Sequence, residues 1–428
     1  MKGTALFVSN LIFIIFLFLL LFSFAMFQGG FVSWFLFYSF LPIFLYHIGL
    51  LFYPIRNWMV TRTLSHRVIR AGDEVNVTVN ISRSIPFPLY YCIFEEKFPE
   101  TLKRIDNRKD KYHYMNEPEK LRVNRKMKKI IFPSFRRTIE LSYYLSQVPR
   151  GEHELQAIRV QTGDIFGFVK KAHTFEIKDQ LIAYPNERTI QMKEPMSSYE
   201  QGSIASSTLN LKNTNVASGV REYLPGDKYS WINWKQTARK NTIMTKEFEQ
   251  EKSTDVMLVL NSCYDDGMNE LAFEAAIEVT ISLMETIQKQ AAQVGLLSIG
   301  ADTIQFPVHH DPTKKEWIRQ HLTRLRPTGN QHFSVRLQEE MAKITGGHIL
   351  MIITTHIDHT FKQTVRQLKQ RGNRVKVIYI QPSSRITQEE RSLLQQLQFE
   401  RADIHVLTEK QLVESPIEVV YHEKFSTK

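Results

Sequence analysis

Val256-Met257-Leu258-Val259-Leu260 is apolar at every position, and a few residues later Glu270 to Gln290 spaces Leu271, Ile277, Ile281, Leu283, Met284 and Ile287 at helical intervals. A run with no polar alternate fits a strand buried on both faces, and a helix directly after it fits the crossover of a parallel sheet. The alternation continues to the end of the chain. Val294 to Ile299, His348 to Thr354, Val375 to Ile380 and Asp403 to Leu407 read as strands, and Lys314 to Leu325, Ser334 to Ile344, Phe361 to Arg371 and Gln388 to Leu397 as helices. Residues 252–428 are therefore expected to form an α/β doubly wound domain: a parallel sheet with helices on both faces.

Upstream the period changes from helical to two. Val75, Val77, Val79 and Ile81 alternate with Asn76, Thr78, Asn80 and Ser82, as in a half-buried strand. Leu89 to Phe94, Ile139 to Leu145, His153 to Val160 and Ala172 to Ile177 repeat short extended patterns between turn residues. Residues 56–192 are expected to be a β-sandwich-like domain. The triplets Asn76-Val77-Thr78 and Asn80-Ile81-Ser82 match glycosylation acceptors, but read as the polar face of the first of these strands.

The first 55 residues differ again. Ala5 to Phe27 and Phe31 to Tyr53 carry no charged side chain and are joined by Gln28-Gly29-Gly30. About 20 helical residues cross a ~30 Å hydrocarbon layer, so the pair is expected to form an antiparallel transmembrane hairpin over residues 1–55. Lys2 and the flank Arg56, Arg62, Arg67 and Arg70 place both ends in the cytoplasm by the positive-inside bias, making a multi-pass cell-membrane protein with cytoplasmic domains. The competing reading, a cleaved signal peptide ending near Ser23-Phe24-Ala25, leaves the second apolar segment unexplained.

Across all 428 residues, 55 Lys and Arg outnumber 44 Asp and Glu. The excess is concentrated between residues 101 and 130, where eleven basic residues stand against four acids. Two readings stand for this stretch: contact with anionic lipid, or a solvated polar connection between strands. No nucleic-acid-binding motif accompanies the charge, so a nucleic-acid partner is not expected. Cys92 and Cys263 are too far apart in sequence and too isolated to suggest a disulfide framework or a zinc cluster.

Chemistry-bearing motifs are sparse. Gly295 to Gly300 comes nearest to a phosphate loop, but Ala301-Asp302 stands where Lys-Ser/Thr would be needed. His153-Glu154 lacks a second histidine at helical spacing, and no Gly-x-Ser-x-Gly elbow occurs. Cys263 follows the first buried strand with no neighbouring base to activate it. His356, Asp358 and His359 lie just past another strand, where they read either as transition-metal ligands or as an exposed helix entry capped by Asp358. His309-His310 carries the same two readings.

Residues 193–251 separate the two domains and contain the densest segment of the chain, Gly219-Val220-Arg221-Glu222-Tyr223-Leu224-Pro225-Gly226-Asp227-Lys228-Tyr229-Ser230-Trp231-Ile232-Asn233-Trp234-Lys235-Gln236-Thr237-Ala238-Arg239. Pro225-Gly226-Asp227 is a turn by composition. Around it lie Arg221, Glu222, Asp227, Lys235 and Arg239, together with two of the five tryptophans, Trp231 and Trp234. Such a mixture makes either a packed polar network or a contact surface.

This segment resembles the signature of the bacterial membrane proteins called domain of unknown function 58: Arg-Glu-Tyr-x-Pro-Gly-Asp, then hydrophobic-Asn/His/Asp-Trp-Lys, ending in Ala-Arg. The resemblance extends to two N-terminal spans, to Arg150-Gly151 and Gly163-Asp164-Ile165-Phe166-Gly167 in the β region, and to a sheet domain similar to von Willebrand factor type A. Many relatives carry arginine where Ser230 stands. In that superfamily Asp-x-Ser-x-Ser often holds a metal after the first strand; here Asn261-Ser262-Cys263-Tyr264-Asp265 occupies the place, and Thr354-Thr355 and Gly329-Asn330-Gln331 bring no carboxylate. A functional Mg²⁺ site and a cofactor are therefore not expected.

The resemblance implies a non-catalytic, membrane-tethered interaction protein. Its implied partners are the lipid bilayer, a MoxR-type AAA ATPase and a transglutaminase-like membrane protein. Arg221, Glu222, Tyr223, Pro225, Gly226, Asp227, Trp231, Asn233, Trp234, Lys235 and Arg239 are the candidate interaction or structural residues, serving as an interface or as an intramolecular clamp. The alternative is a metal-dependent binder or enzyme using Cys263, Asp265, His356, Asp358 and His359 at the carboxyl end of the sheet.

Overall fold

The computed structural model describes residues 2–192, 212–224, 229–251, 255–290, 293–308, 312–340, 349–400 and 402–419. These fall into two compact units, one of residues 1–108 and 120–184 and one of residues 109–119 and 185–428.

The first unit opens with α1 (Lys2–Gln28) and α2 (Phe31–Phe52), two apolar helices long enough to cross a membrane, separated by Gly29 and Gly30. Their shared seam is aromatic. Phe18 packs edge-on against Phe44 at 5.5 Å, and Phe22 and Trp34 both approach Phe37. Two sheets follow. One pairs β1 (Met59–Leu64), β3 (Val75–Ser82) and β6 (Thr138–Leu145) in the order β1-β3-β6. The other pairs β2 (Val68–Arg70), β4 (Tyr91–Lys97), β5 (Met127–Ile131), β7 (Gly151–Gly163) and β8 (Lys170–Tyr184) in the order β2-β8-β7-β4-β5.

The alternation at residues 75–82 does what its period dictates: Val75, Val77, Val79 and Ile81 are buried, and Asn80 and Ser82 are exposed. Val79, Ile81, Ile139 and Leu141 from one sheet share a core with Cys92, Phe94, Ile158 and Val160 from the other, and Ile14, Phe44, Leu50 and Leu51 of the helices join the same core. The strand expected at Ala172 to Ile177 is longer, because β8 runs alongside all of β7 with one bulge between Leu155 and Ala157. Arg62, counted among the flanking basic residues, is buried between Glu96 and Asp179.

The second unit contains β9 (Ile190–Met192), β10 (Lys212–Glu222), α3 (Trp234–Lys240), β11 (Met244–Glu251), β12 (Asp255–Asn261), α4 (Glu270–Lys289), β13 (Gln293–Ile299), β14 (Thr303–Phe306), α5 (Pro312–Arg324), α6 (Phe333–Glu340), β15 (Ile349–Thr354), α7 (His359–Gln370), β16 (Arg374–Ile380), α8 (Gln388–Phe399), β17 (Asp403–Leu407), α9 (Glu409–Val413) and β18 (Ile417–Val419). Its main sheet has the order β14-β13-β12-β15-β16-β17. The expected all-parallel sheet is corrected at one edge, where β14 runs antiparallel to β13. The link Gly300-Ala301-Asp302 is too short for a crossover, so the chain returns as a hairpin. Gly295 to Gly300, the near match to a phosphate loop, is mostly β13 itself.

Met257, Val259, Leu350, Ile352, Val375 and Val377 share a core with α6, α7 and α8, while the alternate residues Val256, Leu258, Leu260 and Met351 are also buried. Both faces of the sheet are thus covered, as an unalternating apolar strand requires.

The basic stretch 101–130 is not a plain polar connection. Short 3-10 turns occupy Glu100–Leu102, Arg108–Tyr114 and Pro118–Leu121. Residues 109–119 belong to the second unit, where Lys111 is buried and pairs with Glu278 of α4, Tyr112 Oη donates to the same carboxylate at 2.6 Å, and Asn269 Nδ2 donates to the Met115 carbonyl at 2.6 Å. One basic residue in the patch therefore neutralises a buried acid, and another, Arg125, donates to the Leu102, Ser146 and Gln147 carbonyls.

Candidate functional site

The segment quoted from Gly219 to Arg239 is built on an antiparallel ribbon of β10 and β11, with Val220 opposite Lys246, Arg221 opposite Thr245 and Glu222 opposite Met244. Beyond the ribbon, Tyr223 N–H donates to the Ile243 carbonyl at 2.9 Å, and the Tyr223 and Tyr229 rings stack at 6.4 Å. A single 3-10 turn, Tyr229–Trp231, leads to Asn233. Asn233 caps α3: its side-chain oxygen accepts from Gln236 N–H at 3.3 Å. Its backbone N–H donates to the Met244 carbonyl at 2.8 Å, which ties the helix start to β11. Thr237 locks the arrangement, donating from Oγ1 to the Asn233 carbonyl and accepting from Met244 N–H, both at 3.0 Å. The helix ends at Asn241, whose φ of +50° places it in the left-handed region that closes helices.

Among the candidate residues, Asn233 is a structural cap, and Arg221 Nη1 donates to the Glu222 carbonyl at 3.1 Å. Trp231 is half-buried, whereas Trp234 is 70 % exposed and Lys235 and Arg239 project into solvent on the same short helix. Pro225, Gly226 and Asp227 lie outside the described residues. Tyr229, which is 80 % exposed, and the exposed Leu224 and Ile243 were not singled out by charge and motif density. Ile232, by contrast, is buried and bridges to Thr245, and is the apolar foot of the surface.

The second constellation lies at the carboxyl ends of β12 and β15, adjacent strands between which the sheet order reverses, the usual ligand position in doubly wound sheets. Asn261 Nδ2 donates to Thr354 Oγ1 at 3.0 Å, Asn261 Oδ1 accepts from Cys263 N–H at 3.0 Å, and Thr354 Oγ1 donates to the His356 carbonyl at 2.7 Å. Ser262 Oγ lies 3.3 Å from Ser298 Oγ. An amide N–H therefore points at the hydroxyl that a cation would need as a lone-pair donor. A hard cation wants several oxygens free of such donors, so these residues do not fit one. Among the described residues no group of three or more His, Cys, Asp or Glu is placed to hold a metal.

Cys263 is buried, and burial, with Asp265 nearby, pushes its thiol up to about 11, so it stays protonated at neutral pH. Asp358 is the N-cap of α7, accepting from Phe361 N–H at 2.6 Å and from Ser334 Oγ at 2.6 Å. His356 sits 3.6 Å from Glu390, and His359 3.4 Å from Glu389. Each histidine thus has its own carboxylate in α8. His309 and His310 lie outside the described residues.

Residues 219–390, which include both constellations, match the family described as protein of unknown function DUF58. The uncharacterized protein YeaD of Bacillus subtilis (strain 168) is 36 % identical over 322 residues, 75 % of this chain and 76 % of that protein.

The chain belongs to the DUF58 family.

Likeness to solved structures is weak. The PilB minor pilin from Streptococcus sanguinis shares 8 % identity over 76 % of this chain and 85 % of its own, with a TM-score of 0.29. Spo0M, a sporulation control protein from Bacillus subtilis, shares 14 % over 30 % of this chain and 50 % of its own, with a TM-score of 0.14. Overlaps of that size carry no argument, and family membership brings no activity with it. What the DUF58 match contributes is its extent: it begins within the ribbon that carries the exposed aromatic surface.

Proposed function

We propose that this DUF58 protein is a non-catalytic, membrane-anchored scaffold or adaptor whose signature helix meets a protein partner. The observation that carries the reading is the exposure of Trp234 and Tyr229 on an element whose own contacts are already satisfied by Ile232, Asn233 and Thr237. A clamp would bury its aromatics; an interface holds them in water until the partner arrives, and Trp, Tyr and Arg dominate such surfaces. The two apolar helices form the anchor as a hairpin, with both ends cytoplasmic on the basic flank, and the α/β unit is read as von Willebrand factor type A-like, which its strand order with one antiparallel edge supports. A MoxR-type AAA ATPase and a transglutaminase-like membrane protein are the partners that the family resemblance proposes.

Co-purification from detergent-solubilised membranes, with and without ATP, tests this. The wild type should recover an ATPase that Trp234→Ala and Tyr229→Ala lose while remaining folded. Equal recovery by all three chains would return the signature to a structural role. One observation favours the alternative of a cation binder: Asp265 Oδ2 is buried without a hydrogen-bond partner. Calorimetry with Mg²⁺, Mn²⁺ and Zn²⁺ on wild type and Asp265→Asn decides it, since only a metal site gives heat that the variant abolishes.

A further inference from the structure

The turn between β7 and β8, Gly163-Asp164-Ile165-Phe166-Gly167-Phe168-Val169, is absorbed by neither constellation. Ile165, Phe166 and Phe168 are 63 %, 62 % and 41 % exposed on a turn of seven residues, an unusual outlay of apolar surface for a loop. Its place explains the outlay. Asp164 Oδ2 lies 3.2 Å from His47 Nε2, the His47 ring is 6.2 Å from that of Phe166 and 5.8 Å from that of Phe168, and Phe13 of α1 is 5.4 Å from Phe168. His47 stands five residues before the end of α2, which at 1.5 Å per residue is about 8 Å back from Phe52 along the helix. The turn therefore lies beside the helix pair and not beyond its end.

The backbone is prepared for a dry setting. Asp164 Oδ2 accepts from Phe166 N–H at 3.0 Å and Phe168 N–H at 3.2 Å, Oδ1 accepts from Val169 N–H at 2.6 Å, and Asp164 N–H donates to the Val169 carbonyl at 3.2 Å. Irregular backbone enters a bilayer only when its polar groups are met from within. Two glycines make the turn possible: Gly167 has φ +80°, and a Cβ on Gly163 would come within 2.7 Å of the Val169 carbonyl. At the base, Lys170 is exposed and Lys171 Nζ donates at 2.7 Å to the carbonyl of Tyr53, the residue after α2, and cationic side chains so placed suit phospholipid headgroups.

We propose that this turn is a membrane wedge, with Ile165, Phe166 and Phe168 seated among the phospholipid headgroups and upper acyl chains of the leaflet on the β unit's side. The proposal rests on α1 and α2 crossing that bilayer. Whatever layer covers the last turns of α2 also covers the wedge, and its charged carboxylate is turned inward to His47 and the turn's own amides. A neighbouring loop extends the seat. Tyr53 Oη donates to the Ile85 carbonyl at 2.8 Å, Phe87 stacks on Tyr46 and Tyr53, and Ile85 is exposed beside them.

The test uses the full chain in phosphatidylcholine–phosphatidylglycerol vesicles, with and without brominated acyl chains. Cys92 and Cys263 are buried, so a bimane label falls on an introduced thiol: Phe166→Cys or Ile165→Cys for the wedge, Leu20→Cys for the span. The expected result is a loss of emission at 165 and 166 comparable with that at 20. Quenching at 20 alone overturns the wedge and leaves the anchor standing, whereas no quenching at 20 removes the anchor and the wedge with it. Emission at 166 that ignores bromine but follows the protein-to-lipid ratio marks a second copy on the turn, and also overturns the proposal. Phe166→Cys and Ile165→Cys are independent reporters, so a folding failure of one leaves the other to decide.

Discussion

At residue scale, Glu390 shows how one carboxylate organises the carboxyl end of the sheet. Burial pushes it up, but His356, the Thr387 N–H and hydroxyl, and Tyr379 Oη all favour its charged form and hold it down at about 2. A group depressed in the folded state contributes stability that is present above its unfolded value and lost as pH falls through the folded one. Denaturant unfolding followed between pH 5 and pH 2 should therefore show an acid-sensitive contribution of up to about 3 kcal/mol, at ~1.4 kcal/mol per pK unit, that Glu390→Gln lacks. His356 moves the opposite way. The Glu390 carboxylate beside it outweighs burial and raises it above the usual histidine value, so its contribution is complete below about pH 6.5 and fades as pH rises through the raised value. Asp358 separates capping from ligation. Asp358→Ala should cost about 1 kcal/mol through the lost α7 cap, and Asp358→Asn should recover most of it, as seen in unfolding midpoints; a metal ligand would not be replaced by an amide.

At the scale of elements, the ribbon and α3 divide their labour by burial. Asn233→Ala should destabilise the helix start by about 1 kcal/mol, visible as faster hydrogen exchange across residues 234–240, because the cap to Gln236 N–H is lost. Trp234→Ala should leave that exchange and the unfolding midpoint within about 0.5 kcal/mol of wild type, since an exposed side chain supports nothing beneath it. A Trp234→Ala chain as unstable as Asn233→Ala would mean that the tryptophan packs within the protein, and would count against the interface. The same contrast of signal types applies to sequence. The motif flagged Trp234 and Asn233 alike, since both are conspicuous residue types, but only the hydrogen bonds of Asn233 and the exposure of Trp234 assign them different work.

For the whole molecule, only Gly29 and Gly30 separate α1 from α2, so the proposed hairpin anchor would leave the amino terminus and residues 56 onward on one side. Labelling of single cysteines at positions 3 and 103 in intact cells with an impermeant maleimide should give the same answer for both, namely no reaction, if that side is cytoplasmic. Much of the architecture was legible beforehand because it rests on periodicity: uninterrupted apolarity marked the helix pair and β12, alternation marked β3, and unalternating strands spaced by helices marked the doubly wound sheet. Tertiary structure alone decided the rest, for reasons that no local pattern carries. The burial of Lys111 depends on the distant Glu278, and the satisfied amide of Asn261 on Thr354, 93 positions away. Likewise the packing of the Gly163–Val169 turn against α2 follows only from His47 and Asp164, 117 positions apart, meeting at 3.2 Å. Periodicity records which face of an element is buried; which distant charge or hydroxyl completes that face is fixed only when the chain closes on itself.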